Sequence, residues 1–210
     1  MSATGAVDPS LQQAIDALAP PGLLIGHRVI SPGDEFALLD AEAAAMASMA
    51  TDRRRASGAA RHVARELMTR LGYAQLPVLK AASGAPVWPA RLTGSMAHDD
   101  RIAVAAVGLR RDFTAVGIDV EPAAPLPADM LELIATPREL RAIAEDPLGG
   151  KLLFAAKEAV YKAVHPLDGV FLEFHDIEVD IAGRKAMTRT GRVLTLRTCM
   201  SSHVVALALG

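Results

Sequence analysis

The strongest structural signal in the chain is KLLFAAKEAVYKAV, residues 151–164. Two glycines at positions 149 and 150 precede this stretch and Pro166 follows it, and residues of these types commonly bound a helix. Its apolar residues cover much of the surface and leave a charged patch on one side. The stretch therefore predicts one long helix with a polar stripe.

Helical and strand patterns alternate through the rest of the chain. Helices are predicted at residues 11–18, 34–71, 130–134 and 137–144. Strands are predicted at residues 23–30, 101–109, 113–120, 176–181, 192–198 and 203–209. Prolines and a glycine between residues 76 and 92 predict turn and loop, and the short connection at 110–112 predicts a hairpin. The order of elements predicts an α+β (α/β) fold of two similar halves that meet near residues 110–113.

Bulk composition excludes several classes of protein. The 210 residues fit one domain or two small ones, and 51% are hydrophobic, which is enough for a sizeable core. The formal net charge of −2 argues against a general nucleic-acid binder. Cys199 is the single cysteine, so an intrachain disulfide is excluded and a reducing compartment is expected. No apolar run reaches membrane-spanning length and the N-terminus lacks a secretory pattern, so we expect a soluble, cytoplasmic protein.

Residues 117–122, GIDVEP, place two carboxylates at the end of a predicted strand. Because side chains alternate faces along a strand, Asp119 and Glu121 point the same way. Neighbouring carboxylates repel each other, and a hard cation with oxygen ligands such as Mg²⁺ would relieve that repulsion. The alternative is an ordinary strand with its polar face in water, and the short Asp-x-Glu pattern alone favours this alternative.

The charged patch of the long helix is a second candidate. Glu158 and Lys162 are four residues apart and share one face, and Lys157 lies about 100° round at the side of the patch. Alone, this spacing is typical of an exposed ion pair. If the helix packs beside the acidic strand end, Glu158 becomes a third oxygen ligand and the two lysines become phosphate partners.

Two further segments contain residue types that bind phosphate. His98 lies in GSMAHD, residues 94–99, where its ring nitrogens can donate to a phosphate or merely to a local partner. A Ser–His–Asp triad is poorly supported there, because a GxSxG turn is absent and the three residues crowd one loop. The arginine-rich stretch 53–65 could be a phosphate-binding stripe, a solvated face or a nucleic-acid contact.

Taken together, these segments resemble the 4′-phosphopantetheinyl transferase superfamily, and in particular its monomeric two-subdomain branch of the enterobactin-synthase component D type. The resemblance extends from about residue 50 to about residue 165. The segments that carry it are the arginine-rich stretch 53–65 followed by Leu71-Gly72, PVLK at 77–80, GAPVWP at 84–89, GSMAH at 94–98, GIDVEP at 117–122 and FAAKEAVYK at 154–162. The two acidic motifs in this order, with Glu158 placed 37 residues after Glu121, are specific as a pair.

The resemblance implies two α/β subdomains with pseudo-twofold symmetry, residues 1–111 and 112–210, and an active site in the cleft between them. It implies that Mg²⁺ is held by Asp119, Glu121 and Glu158. The implied coenzyme A contacts are Arg53, Arg61 and Lys80 at the 3′-phospho-adenosine end, Ala81, Ala82 and Ser83 along the nucleotide, and Ala97, His98, Lys157 and Lys162 at the phosphates. The implied catalytic residues are Glu158, Lys162 and His98.

The implied reaction moves the 4′-phosphopantetheine arm of coenzyme A onto a serine of an apo carrier protein. Mg²⁺ is the implied cofactor, and the implied enzyme is a monomer with no nucleic-acid or membrane partner. The alternative is a protein that binds coenzyme A or a carrier without catalysis. Ala97, Asp99 and Phe154 depart from the family pattern, but none of these departures removes a metal ligand or a lysine.

Overall fold

The computed structural model describes residues 7–210, which form helices and strands in both halves of the chain. The helices are α1 Pro9–Leu18, α2 Asp40–Ala44, α3 Thr51–Arg70, α4 Ala128–Ile134, α5 Pro137–Ile143 and α6 Gly149–Asp168. The strands are β1 Leu23–Val29, β2 Leu79–Lys80, β3 Pro86–Val87, β4 Leu92–His98, β5 Ile102–Leu109, β6 Val116–Pro122, β7 Ile177–Asp180, β8 Lys185–Thr188, β9 Val193–Met200 and β10 His203–Leu209. Short 3-10 turns occupy Asp34–Phe36 and Phe174–Asp176.

The strands form two antiparallel sheets and a small ribbon. The first sheet has the order β1-β5-β4, the second has the order β6-β10-β9-β8-β7, and β2 pairs with β3. Helix α3 covers one face of the first sheet through Val63 and Leu67. Helix α6 covers one face of the second sheet through Ala155 and Ala159. Each half is therefore a long helix packed on an antiparallel sheet, and the fold class is the mixed α/β class expected from the sequence.

The two sheets also pack against each other, so their central strands are buried on both faces. On β5, Val107 belongs to the core beneath α3, whereas Val104 belongs to the core between the sheets. On β6, Ile118 and Val120 face that shared core. Because side chains alternate along a strand, Asp119 is turned toward α6.

The close approach of α6 to β6 depends on a glycine. A Cβ built on Gly117 would lie 1.9 Å from the backbone oxygen of Ala159. Any side chain at this position would push the helix away from the strand. Gly117 thus lets the α6 backbone rest on β6 at the residue next to Glu158, which brings the two acidic motifs onto neighbouring elements.

Several predictions of secondary structure were wrong. The strands at 101–109 and 113–120 do not form a hairpin, because β5 and β6 belong to different sheets and the chain crosses from one sheet to the other between them. Residues 94–98, expected in a loop, belong to strand β4, and strand β8 was not predicted. The helical pattern at 34–71 is interrupted, since it contains a 3-10 turn, α2 and α3.

Helix α6 confirms the helix predicted at 151–164, although it does not stop at Pro166. It continues to Asp168 and ends at Gly169, whose φ of 64° is the left-handed conformation that suits a glycine after a helix. The predicted boundary between residues 111 and 112 falls in the connection between the two sheets. Residues 1–6 of the predicted first subdomain lie outside the described residues. Among residues 7–210, no helix has the length and apolar character needed to cross a membrane.

Candidate active site

A cleft lies between the two halves. Its larger cavity has a volume of about 530 Å³ and is lined by Ser83 and Trp88 from the first half. Glu158, Tyr161 and Lys162 of α6 line it from the second half. Glu158 and Lys162 of the stripe predicted on the long helix therefore face a cavity rather than open solvent.

A smaller cavity of about 200 Å³ adjoins the larger one on the side of the first half. Its lining includes Arg61, Lys80 and His98. Gly84 and Met96 lie in the walls of both cavities, so the two form one continuous cleft. Two cationic side chains and a histidine, from three separate segments, are thus brought to one end of this cleft.

Asp119 is buried behind Lys162, which lines the cleft. Lys162 Nζ donates a hydrogen bond of 2.5 Å to Asp119 Oδ1. The other oxygen, Oδ2, is buried and accepts no hydrogen bond from any residue in 7–210. Burial raises the pKa of Asp119 to about 6; the charge of Lys162 opposes this rise, and the charges of Glu121 and Glu158 add to it.

The other two carboxylates of the acidic motifs lie beside Asp119. Burial raises the pKa of Glu158, with Lys162 opposing the rise and Glu121 adding to it. Glu121 accepts a hydrogen bond of 3.1 Å from Lys151 Nζ. The three acidic side chains are therefore electrostatic neighbours, and lysines from α6 partly neutralise them.

The donor set fits a hard divalent cation, although the side chains are not gathered around one. Within the described part of the chain, no group of three or more His, Cys, Asp or Glu side chains could enclose a metal ion as placed. Asp119, Glu121 and Glu158 offer only oxygen, and Oδ2 of Asp119 is a buried acceptor without a donor. Oxygen-only ligation suits Mg²⁺. Lys151 and Lys162 would compete with such an ion for Glu121 Oε2 and Asp119 Oδ1.

His98 lies close to the positive charges of Arg53 and Lys162. It is exposed at the end of β4. Partial desolvation lowers the pKa of its ring, and the charges of Lys162 and Arg53 lower it further, while the Asp99 carbonyl and carboxylate oppose these effects. Positive groups from α3 and α6 therefore act on the space around His98, where an anion would be attracted to both of them.

Arg61 and Lys80 line the smaller cavity in different environments. Arg61 is buried, and its Nε donates a hydrogen bond of 2.9 Å to the carbonyl of Val78. Burial lowers the pKa of Arg61, and a guanidinium remains charged despite such a shift. Lys80 lies on β2 at the start of the ribbon. The guanidinium of Arg61 is thus held in place by burial and a hydrogen bond, whereas the ammonium of Lys80 is more exposed.

The remaining predicted contacts are residues with small side chains. Ala81, Ala82 and Ser83 form the turn between β2 and β3, closed by a hydrogen bond of 2.9 Å from the Gly84 N–H to the Ala81 carbonyl. The side chain of Ala97 is buried in the core between the sheets. A ligand in the cleft can therefore meet Ala97 only through its backbone.

Lys157 does not face the cleft, which corrects the expectation that it contacts a coenzyme A phosphate. Its side chain is fully buried. Its Nζ donates to the carbonyls of Ile134 and Phe174 at 2.8 and 2.9 Å and to Glu139 Oε2 at 2.8 Å. An ammonium has three N–H groups, so all of its donors are used. Because Lys157 lies about 100° around the helix from Glu158, its side chain points into the core of the second half.

Two side chains at the site were not singled out from the sequence. Tyr161 lines the cleft with Glu158. Lys151 pairs with Glu121. Lys151 precedes Glu158 by seven residues, which is two helical turns and hence the same face, so the spacing in the helix was the signal that could have revealed it.

The fold and the cleft define a mixed α/β protein in which two halves line one cleft with both acidic and basic side chains. The 4′-phosphopantetheinyl transferase N-terminal domain family matches residues 41–108, and the 4′-phosphopantetheinyl transferase superfamily matches residues 115–208. The transferase Svp of Streptomyces mobaraensis is 37% identical over 188 residues, covering 86% of this chain and 76% of Svp. The transferase Npt of Nocardia iowensis is 36% identical over 168 residues, covering 79% of this chain and 75% of Npt.

The chain therefore belongs to the 4′-phosphopantetheinyl transferase superfamily, and it is a transferase enzyme. Among solved structures, the holo-[acyl-carrier-protein] synthase of Thermotoga maritima is similar to part of the chain, with 23% identity and a TM-score of 0.37 over 46% of this chain and 62% of that one. The finer assignment to the enterobactin-synthase component D branch stays a prediction.

Proposed function

We propose that the enzyme transfers the 4′-phosphopantetheine group of coenzyme A to a serine of an apo carrier protein and releases adenosine 3′,5′-bisphosphate. The observation that carries this proposal is that Glu158 and Lys162 line a cleft between both halves, with Asp119 hydrogen-bonded to Lys162 behind it. Acidic groups for a metal and basic groups for phosphates lie side by side there, as the transfer of a phosphate-bearing group requires.

The proposed site holds Mg²⁺ through Asp119, Glu121 and Glu158, where the ion would neutralise charge on the pyrophosphate of coenzyme A. The chain's own residues perform the other tasks. Lys162 and His98 donate hydrogen bonds to the phosphate oxygens as negative charge accumulates on them. Glu158 accepts the proton of the attacking serine hydroxyl, directly or through a water molecule.

The nucleotide end of coenzyme A fits the smaller cavity in this proposal. Arg61 and Lys80 line that cavity, and Arg53 acts on His98 at its margin. These groups suit the 3′-phosphate, because a guanidinium recognises phosphate through a planar fork of donors. The turn at residues 81–83 lies along the nucleotide, and the Ala97 backbone lies beside the phosphates. Lys157 is not part of this binding site.

A second opening beside the cleft suits the acceptor. A cavity of about 420 Å³ beside α6 is lined by Leu133, Phe171 and Phe174, and Glu158 and Tyr161 lie in its wall as well as in the wall of the cleft. Coenzyme A in one space and an acceptor hydroxyl in the other would therefore meet at Glu158. This arrangement fits a reaction between two substrates.

A single chain lines the whole proposed site, so we propose that the enzyme acts as a monomer. Residues 1–111 would contact the adenosine end, and residues 112–210 would hold the metal and the pyrophosphate. The free thiol of Cys199 fits a reducing, cytoplasmic environment.

The experiment that tests the function is mass spectrometry of an apo carrier incubated with the enzyme, coenzyme A and Mg²⁺. We expect the carrier to gain the mass of phosphopantetheine with the parent enzyme. Asp119→Ala and Glu158→Ala should each lose most of this activity while remaining folded. Glu145→Ala is the matched control, because Glu145 is an exposed carboxylate outside the cleft, and it should retain parental activity.

Two results would contradict the proposal. Transfer at the parental rate by either cleft variant would show that the metal assignment is wrong. Binding of coenzyme A without any mass gain, across a panel of apo carriers, would instead support a non-catalytic binding protein.

A further inference from the structure

Asp99, the residue after His98, fixes the turn between β4 and β5. Its Oδ1 accepts hydrogen bonds from the N–H groups of Arg101 at 2.7 Å and Ile102 at 2.6 Å. Its own N–H donates to the Ile102 carbonyl at 3.0 Å. These bonds hold the carboxylate in one orientation, so the direction of Oδ2 is set by the turn.

The free oxygen of Asp99 faces His203, which belongs to the other half of the protein. Asp99 Oδ2 and His203 Nε2 are 2.9 Å apart, and their side chains are only 10% and 4% exposed. The ring N–H is not aligned for a hydrogen bond, and no other residue in 7–210 donates to Oδ2. The contact is therefore a buried polar contact between a carboxylate oxygen and a ring nitrogen, and it joins the two halves.

The opposite side of the His203 ring is also fixed. Ser202 Oγ donates a hydrogen bond of 2.7 Å to Asp8 Oδ2. Its single hydrogen is thus used, and Ser202 Oγ can only accept from His203 Nδ1, which lies 3.1 Å away. Both ring nitrogens of His203 thus lie beside oxygen atoms, Nδ1 beside Ser202 Oγ and Nε2 beside Asp99 Oδ2.

The contact lies between the strand ends that carry the proposed chemistry. His203 is directly opposite Pro122 in the register of β10 and β6, one residue beyond Glu121. Asp99 directly follows His98 at the end of β4. The contact therefore ties the strand end with the phosphate donor to the strand end with the metal-binding carboxylates.

We propose that Asp99 and His203 are positioning residues that clamp the two halves together so that His98 is held at the correct place over the pyrophosphate of coenzyme A. The inference rests on the proposed function. Asp99 and His203 act through His98 rather than on the substrate. Without the contact the end of β4 can shift, and a misplacement of about 1 Å can lower a rate about a hundredfold.

A double-mutant cycle on kcat/KM for coenzyme A tests this inference. Asp99→Asn keeps the Oδ1 acceptor of the turn and removes the charge that faces His203. We expect kcat/KM to fall about tenfold or more. Combining it with His98→Ala should give an enzyme no worse than His98→Ala alone, because residues that act through one another are not additive.

The matched control is Asp180→Asn. Asp180 Oδ1 also accepts a backbone hydrogen bond within a turn, from the Gly183 N–H at 2.8 Å, but Asp180 ends the edge strand β7 of the second sheet, whereas Asp99 adjoins the cleft residue His98. This variant should keep the parental kcat/KM. His203→Gln breaks the same contact from the other side, and it serves in the cycle with His98→Ala if Asp99→Asn does not fold.

The possible outcomes separate the inference from the function on which it rests. If the effects of Asp99→Asn and His98→Ala multiply, or if folded Asp99→Asn keeps the parental kcat/KM, the clamp is wrong and the proposed function stands. If the parent enzyme loads no apo carrier, the proposed function fails and the inference fails with it.

Discussion

Replacement of Lys157 by methionine distinguishes a residue that organises the core from a residue that binds the substrate. Methionine keeps most of the volume and removes the ammonium. The carbonyls of Ile134 and Phe174 then lose their donor, and Glu139 loses its buried cation. Removing one partner of a buried ion pair costs about 3–5 kcal/mol, because the other charge is left uncompensated.

We therefore expect Lys157→Met to lower the free energy of unfolding by about 3–5 kcal/mol. Equilibrium unfolding in urea measures this change. Glu139 retains hydrogen bonds from the N–H groups of Thr136 and Val179 at 2.8 Å each. The double variant Lys157→Met/Glu139→Leu should recover only part of the loss, because those two N–H groups would then lack an acceptor.

Lys162→Met is the matched control, because it removes a lysine from the same helix at a partly exposed position. The Lys162 side chain is 29% exposed, so we expect a smaller loss of stability and a larger loss of transfer activity. If Lys157→Met showed parental stability together with a raised KM for coenzyme A, the assignment of Lys157 to the core would be refuted.

Three further predictions concern the contact between β6 and α6. Gly117→Ala places a Cβ 1.9 Å from the Ala159 oxygen, so unfolding in urea should show a loss of about 1–3 kcal/mol; an unchanged midpoint would show that α6 can shift freely. Mg²⁺ must bind ionised Asp119, whose pKa is raised to about 6. Calorimetric titration should therefore show apparent Mg²⁺ affinity falling by about tenfold per pH unit below pH 6 and little change above it; equal affinity at pH 5 and pH 7 would contradict this. Lys151→Met frees Glu121 from a competing cation, so the Mg²⁺ concentration for half-maximal activity should fall, and a rise would instead show that Lys151 orients Glu121 for the ion.

The sequence predicted the local features of the site but not its assembly. The helical period of α6 predicted that Glu158 and Lys162 share one face of the helix. The alternation in GIDVEP predicted that Asp119 and Glu121 share one face of the strand. The same reasoning failed for β5 and β6, because strands buried on both faces look alike whether they pair in one sheet or lie in two. A short connection was therefore misread as a hairpin.

Lys157 shows most clearly where local pattern stops being informative. On a helix drawn in isolation, Lys157 and Lys162 both lie near Glu158, and both suit a phosphate. The direction of each depends on what covers the helix. The segments that contain Ile134, Glu139 and Phe174 supply three acceptors on one side, so Lys157 is drawn into the core and Lys162 is left in the cleft.

The sequence by itself determined the long helix, the paired carboxylates and the family resemblance, since each depends on residue types at short spacing, and its single cysteine excluded an intrachain disulfide. Tertiary structure alone decided that the two sheets pack face to face, that Gly117 admits α6 onto β6, and that His203 meets Asp99 across the boundary. These contacts join residues far apart in the chain. They depend on which surfaces can be buried against each other, and the residue pattern within one segment does not predict that packing.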